Sequence, residues 1–451
     1  MKTRILNLIE MLRGTFWTLP LLLLLLSIVL AVFNIYLDMS LFREREHLHQ
    51  LLYFFSDAEH NRVLIATTAG SILGVAGVSF SVTIASLTLA SQQFGPRLLR
   101  NFMQDSFNQF VIGVFTATFL YCILILQFIS NLEEAGFVPV ISLSTLLGLV
   151  VFNLMMLVFF IHHISTSIQA DSIIAEVYSE MVTRLRNLFP EELQDEEEAP
   201  EEMAPAQTEM NFMAQETVCA ARSGYLQAID VEGLLKLVTH SNAMLNLDLR
   251  PGDFILYGSP LGWVCSEEKE LPETLHQEIQ NHLFISDTRT AQQDAEFAIR
   301  QLVEIALRAL SPGINDPFTA IACIDRLGDA IAFLMKRRMP RERYLDEDGR
   351  LRLRLKEFSF HGITEAAFNQ IRQNAGFHVA IIMSLLEILG ALAEQANNQE
   401  QAEAIMVQAD AIFGACEDEI KTPKDWQDID TAYRRVASLL GDYLSVEEAS
   451  S

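Results

Sequence analysis

"LPLLLLLLSIVLAVF", Leu19–Phe33, decides what kind of chain this is. It follows Lys2, Arg4 and Arg13, a basic start that a secretion signal would share. A signal has a shorter apolar core and a small-x-small cleavage site. Here the apolar run extends from Phe16 to Leu37 without a convincing site, so it reads as an uncleaved span. Three more such runs follow, Val63–Ala90, Phe110–Ile129 and Val138–Ile161. No Asp, Glu, Lys or Arg lies inside any of the four. The expected front of the chain, residues 1–170, is therefore a membrane bundle of four transmembrane helices.

Sidedness follows from the basic residues in the flanks. The N-terminus carries three, and the loop between the second and third spans carries Arg97 and Arg100. The loop between the third and fourth has only Glu133 and Glu134. The first loop dissents with Arg43, Arg45 and Arg62, although its acids nearly balance them. The simplest arrangement puts both termini, and the large C-terminal part, in the cytoplasm. Uncharged spans argue against proton relays, voltage sensors and ion-coupled carriers, which need ionisable groups in the bilayer. A neutral pore or a simple anchor remains.

The second span, "ATTAGSILGVAGVSFSVTIASLTLAS" (Ala66–Ser91), is packed with small and hydroxyl residues. Gly70, Gly74 and Gly77 lie close to one face, with Ser81 and Thr88 further along. At about 1.5 Å per residue, Val63–Ala90 would run roughly 42 Å, beyond a hydrocarbon core of roughly 30 Å. The helix must tilt or project into the cytosol. Its face suits close helix packing, because small-x-x-x-small patterns let backbones approach. It also suits a neutral, wettable pore lining, and the two roles coincide where copies pack around one axis.

Charge divides the 451 residues unevenly. The net charge is -26, half the residues are hydrophobic and the mean hydropathy is +0.23. Through Ala170 there are eight Lys/Arg and nine Asp/Glu, a net of -1, which leaves -25 for the remainder. Such acidity argues against nucleic acid as a partner. The five cysteines, Cys122, Cys219, Cys265, Cys323 and Cys416, show neither metal-ligand nor disulfide spacing and read as buried reduced thiols.

The back half reads as an α+β cytosolic domain. Residues 171–215 are a helical extension of the fourth span followed by an acidic, Pro-containing linker, "PEELQDEEEAPEEMAPAQ", expected to be disordered. Residues 216–270 form a small β-rich unit. In it "CAARSGYLQAI" is a strand, Asp230 caps a short helix, Pro251-Gly252 makes a type II turn, and "FILYG…LGWVC" completes a hairpin-like series. This pattern resembles the small β-domains below mechanosensitive channels of small conductance, although there the β-domain follows the pore helix directly and here two spans intervene. Residues 271–451 are mainly helical, with a β-hairpin near 343–357.

Glu296, Arg300, Glu304 and Arg308 follow at i, i+4 steps and read as a solvated ion-pair ladder. Phe368, Ile371, Ala375, His378, Ile382, Leu385, Leu389 and Leu392 form a heptad-like seam for a helical bundle or coiled coil, with His378 as a hydrogen-bonded core residue rather than a metal ligand. His162-His163, at the end of the fourth span, fit interfacial polarity or a pH-sensitive pair.

"SPGINDPFTA", Ser311–Ala320, reads as a helix–loop–helix corner. Gly313 is placed for a left-handed cap, Asp316 for an N-cap, and Pro317 for the first helical position. That leaves Ser311 and Asn315 unexplained. With Arg289, Asp294 and Asp316 they form a candidate ligand site. Asp348-Gly349 signals a hairpin, after which "RLRLRLK" would set Arg350, Arg352, Arg354 and Lys356 on one face. That strand is either a charge-protected sheet edge or an anion-binding face, with the chain's own acidic linker, lipid headgroups or a diffusible anion as partner.

The segments "SGYLQAID", "RPGDF" and "RTAQQDAEFAIRQLVEIALRALSPGINDPFTAIACIDRL", with "LASQQFGPRLLRNF" near the second span, resemble the bacterial predicted-membrane-protein family catalogued as domain of unknown function 2254. The resemblance covers nearly the whole chain. It implies an integral membrane protein with several spans and a cytosolic domain, and it brings no activity or catalytic residues; the expected location is a bacterial inner membrane. Walker, G-x-S-x-G, H-E-x-x-H and dinucleotide fingerprints are absent, so neither an enzyme nor a cofactor is expected. Two readings stand: a homo-oligomeric, channel-like assembly with a regulatory cytosolic domain, or a membrane-anchored sensor or scaffold whose cytosolic domain binds a ligand or partner protein.

Overall fold

The computed structural model describes residues 17–42, 58–95, 105–131, 139–167, 169–190, 214–266, 271–272, 274–290, 292–376, 378–417 and 419–444. They fall into two compact units, Met1–Ser172 and Ile173–Ser451. The flanking Lys2, Arg4, Arg13, Arg43, Arg45, Arg97, Arg100, Glu133 and Glu134, and the acidic linker after Pro190, lie outside the described residues.

The first unit contains α1 (Thr18–Phe42), α2 (Ala58–Phe94), α3 (Ser106–Asn131) and α4 (Val140–Ser167). All four are long and apolar enough to cross a membrane. α3 is the hub. Its Val111, Phe115, Tyr121, Cys122 and Ile125 are buried against Ala31 of α1, Ile65, Ala69, Ile72 and Ala76 of α2, and Leu143, Leu146 and Phe160 of α4. Leu21, Leu22, Leu25, Leu26, Leu154 and Val158 stay exposed, as side chains that face lipid would. α2 is one unbroken helix of 37 residues, about 55 Å at 1.5 Å per residue.

The first span is longer than its apolar run and carries a buried acid. α1 does not stop at Leu37, and its extra turn brings Asp38 into the bundle, where it is 5% exposed. Its carboxylate accepts from the backbone N–H groups of Ile141 (2.8 Å) and Ser142 (3.0 Å) and from Ser142 Oγ (2.7 Å). Asp38 thus caps the start of α4 from a neighbouring helix, engaging donors that α4 cannot satisfy itself. Above it Asn34 Nδ2 donates to Tyr121 OH and Thr145 Oγ1, each at 3.0 Å.

The second unit opens with α5 (Ala170–Leu188). Its Tyr178 donates to Asp329, and Phe189 just beyond it accepts from Arg337 Nη1 at 2.6 Å. Among the described residues eight strands follow: β1 (Ala214–Cys219), β2 (Gly224–Ile229), β3 (Ala243–Leu247), β4 (Phe254–Ile255), β5 (Pro260–Ser266), β6 (Leu283–Ser286), β7 (Arg343–Leu345) and β8 (Leu351–Leu355). They make a five-stranded sheet ordered β1-β5-β3-β8-β7 and a three-stranded sheet ordered β4-β2-β6. Every β3 residue is buried, as suits a central strand, and β3 pairs in parallel with β8. α6 (Val231–His240), capped by Asp230 as expected, sends Leu234 and Val238 into the core beside Leu245, Val264 and Leu353. Two strand readings are corrected. "CAARSGYLQAI" is divided between the two sheets, and β4 and β5 pair with other strands rather than with each other.

The helical part comprises α7 (Leu275–Asn281), α8 (Ala295–Ala309), α9 (Pro317–Leu334), α10 (Phe360–Ala375), α11 (Val379–Ala393), α12 (Gln399–Cys416) and α13 (Pro423–Leu444). The heptad-like seam runs over two helices. Gly376, at φ +53°, ends α10, and α11 begins anew. The apolar seam residues are buried on both sides of the break, whereas His378 is half-buried at the start of α11 and is not a core residue. Four of the five cysteines are buried, and burial pushes the Cys323 thiol up to about 12; Cys219 is exposed, against expectation.

Candidate functional site

The Ser311–Ala320 loop is a corner whose polar groups serve the backbone. Asp316 accepts from the N–H groups of Phe318 (3.1 Å) and Thr319 (3.2 Å) and from Thr319 Oγ1 (2.6 Å). The Thr319 hydroxyl, with those backbone N–H groups, holds its carboxyl below the ordinary value despite some burial. Ser311 Oγ donates to Arg308 O at 2.6 Å. The left-handed residue is not Gly313 but Asn315, at φ +48°, and its N–H donates to Ser311 O at 2.9 Å. Asparagine tolerates that region better than most residues do. Asp316→Ala is therefore expected to cost about 1 kcal/mol through the lost cap. Asn315→Ala should cost on the order of 1–2 kcal/mol through backbone strain, and Asn315→Gly much less. Denaturant midpoints would check this; equal midpoints for the alanine and glycine variants would refute the left-handed explanation.

Arg289 and Asp294 do meet. Arg289 Nε lies 2.5 Å from Asp294 Oδ2, and Asp294, fully buried, also caps α8 by accepting from Phe297 N at 2.9 Å. Ser311, Asn315 and Asp316 lie beyond the other end of α8, whose 15 residues span about 21 Å. The five residues expected to form one ligand site do not converge.

The segments around Arg289 interlock with two others. Gln293 Oε1 accepts from Ile229 N (2.9 Å), and Gln227 Nε2 donates to Thr288 O (2.8 Å). Gly252 N donates to Leu226 O (2.8 Å), and Leu226 N to Asp253 O (3.0 Å). Gly252 has φ +100° in the expected turn, closed by Asp253 N donating to Arg250 O at 3.1 Å. A Cβ there would collide with Asp294 Oδ2, so the turn lies directly on the buried pair.

Beside this knot is an open cleft of about 420 Å³, between α8 and α10 and lined in part by Arg250, Glu296, Arg300, Glu365, Asn369 and Gln373. Glu296, expected in a solvated ladder, is 5% exposed instead. It accepts from Arg250, which packs over the Phe358 ring at 4.7 Å, and from Arg300 at 3.0 Å. One carboxylate between two guanidiniums keeps a buried charge compensated. Next to Phe358, burial and then the Glu342 charge push Glu357 up to about 7, with Arg250 opposing.

The basic strand is not a uniform anion-binding face. Arg352 is 4% exposed, its Nε donating at 2.7 Å to the side chain of Asp346, itself 4% exposed on a half-buried residue, and its Nη1 donating to Ala243 O at 3.4 Å. The Asp346 carboxylate folds back from the hairpin turn and covers it. Burial alone would raise that carboxyl, but bonds from Arg352 and from the Arg350 and Asp348 backbone hold it below its ordinary value. Arg350, Arg354 and Lys356 are exposed, with Glu342 4.0 Å from Arg354. β8 is not the sheet edge; β7 is.

In the first unit, Gly70, Gly74, Gly77, Ser81 and Thr88 are all exposed along α2, and a Cβ built on any of the three glycines would meet nothing within 4 Å. The Ser81 and Thr88 hydroxyls each donate to the carbonyl four residues earlier, at 2.9 Å. At the end of α4, His163 Nε2 lies 2.7 Å from Asp105 and its ring 4.5 Å from Phe107.

Arg250, Glu365, Asn369 and Gln373 were missed as site residues. Only the packing of α10 on α8 brings them together, and no local pattern marks it. Asp38 was missed by one residue, at the edge of an apolar run.

The family model described as "Predicted membrane protein (DUF2254)" matches residues 13–391. An uncharacterized protein of Mycobacterium tuberculosis and one of Mycobacterium bovis are each 31% identical over 381 residues, covering 83% of this chain and 72% of theirs. No solved structure matches. The segments 223–230 and 250–254 and the start of the segment 289–327, which carry the sequence resemblance, interlock beside the cleft. The chain belongs to the DUF2254 family of predicted membrane proteins.

Proposed function

We propose that the protein is a multi-pass protein of the bacterial inner membrane, with cytoplasmic termini, that self-associates through α2 into a channel-like assembly regulated by its cytosolic unit. One observation carries this reading. α2 packs one face on α3 through Ile65, Ala69, Ile72 and Ala76 and leaves its small-residue face, Gly70 to Thr88, open. With its hydroxyls bonded to its own backbone, that face can meet the same face of another copy closely. Around an axis, the same groups would leave a neutral, wettable lining.

Gly74→Leu should convert the oligomer to smaller species, because a leucine would hold two backbones apart. Retention of the parental size in light scattering would refute the contact. In a Cys219→Ser background, Ser81→Cys and Thr88→Cys should react with water-borne maleimide, and liposomes holding the parent protein should leak ions. Uniform protection together with tight liposomes would favour the second reading. That reading, a membrane-anchored sensor or scaffold, is supported by the polar cleft in the second unit.

A further inference from the structure

We propose that the cleft between α8 and α10 binds a small zwitterion of the amino-acid class, its carboxylate at Arg300 and its ammonium at Glu365. The inference names a ligand for the second unit and stands whether or not the spans conduct.

At one end of the cleft, Arg250 and Arg300 share the carboxylate of Glu296, so the lining there carries two positive charges and one negative. A Cβ on Gly362, in the first turn of α10, would lie 4.0 Å from Glu296 Oε1. The start of α10 therefore adds partial positive charge to the same end. The Arg300 side chain keeps 42% of its surface exposed, so a guanidinium edge remains for an incoming anion.

Glu365 lies on the same wall, three residues beyond Gly362, with its side chain 44% exposed. Its partner is His361 on its own helix, at 3.5 Å. Among the described residues no ion pair joins Arg300 to Glu365, although both line one cleft. Opposite charges held apart across a small space match a ligand that carries both.

The rest of the wall agrees. The side-chain amides of Asn369, Gln370 and Gln373 line the cleft with no hydrogen-bond partner among the described residues. Amides donate and accept, as a ligand with both kinds of group requires. Arg250, Arg300, Glu296 and Glu365 sum to zero charge, so a purely anionic or purely cationic ligand would leave one end opposed. About 420 Å³ is within the range of small-molecule sites.

The test is calorimetric titration of the full-length protein in detergent with each standard L-amino acid, succinate and putrescine. At least one amino acid should bind with a Kd at or below about 1 mM, and succinate and putrescine at least about tenfold more weakly. The N-acetyl and carboxamide derivatives of the best binder, each lacking one charge, should also lose about tenfold or more. Glu365→Gln and Arg300→Gln should each do the same to the parent ligand. Should Arg300→Gln unfold the unit, Asn369→Leu and Gln373→Leu test the same wall without touching the buried Glu296 cluster, and they too should weaken binding. No saturable heat from any amino acid, equal binding of the one-charge derivatives, or undiminished affinity in Glu365→Gln would overturn the proposal. Ion flux plays no part in these outcomes.

Discussion

Asp294→Ala is expected to lower the stability of the second unit by about 3–5 kcal/mol, a large share of what a domain possesses. Three losses coincide. α8 loses its cap, Arg289 loses the carboxylate at 2.5 Å while itself largely buried, and the Gly252 turn loses the surface it rests on. Asp294→Asn retains a capping oxygen and should fall between parent and alanine variant. Denaturant titration followed by the fluorescence of Trp263 and Trp426 measures this. A loss under about 1 kcal/mol for the alanine variant would mean that the knot around residues 250–254 and 289–297 does not hold the unit together.

Arg352→Met is expected to cost about as much, because it leaves the Asp346 carboxylate buried without its partner. The double variant Asp346→Asn, Arg352→Met should recover much of the loss, since a neutral pair needs no compensation. Arg350→Gln and Arg354→Gln, on exposed side chains, should each stay within about 0.5 kcal/mol of the parent. Hydrogen exchange across residues 343–356 reads the difference. Added salt should not mimic Arg352→Met, because a buried pair is poorly screened. A salt-sensitive surface latch would show the opposite pattern. Acid should mimic it. The Asp346 carboxyl is held below its ordinary value, so its contribution is complete at neutral pH and is lost as pH falls through that depressed value.

Arg352 shows where sequence reading reaches its limit. Alternation placed it with Arg350 and Arg354 on one face, and the strand and hairpin are there. What alternation cannot contain is the return of Asp346 over that face, since it depends on the turn's path. The spans, the Asp230 and Asp316 caps and the Gly252 turn were legible because a single local effect decides each of them. The break at Gly376 was hidden because the apolar spacing runs on across it in register. Burial of Glu296 was hidden for a different reason. Its i, i+4 partner Arg300 is visible in sequence, whereas Arg250 lies 46 residues away on a loop. The cleft is a product of that long-range pairing and of α10 packing on α8.

The parallel pairing of β3 with β8 joins residues 245–247 to residues 353–355. During synthesis β3 therefore emerges about 100 residues before its neighbour exists. At ~5–20 residues per second, one side of a strand destined for full burial waits unpaired for roughly 5–20 s on the ribosome. Such an edge invites other strands. The nascent chain, rather than the finished protein, is then the vulnerable species. Truncations ending between residues 267 and 350 should aggregate or recruit chaperones, whereas the full-length chain should not.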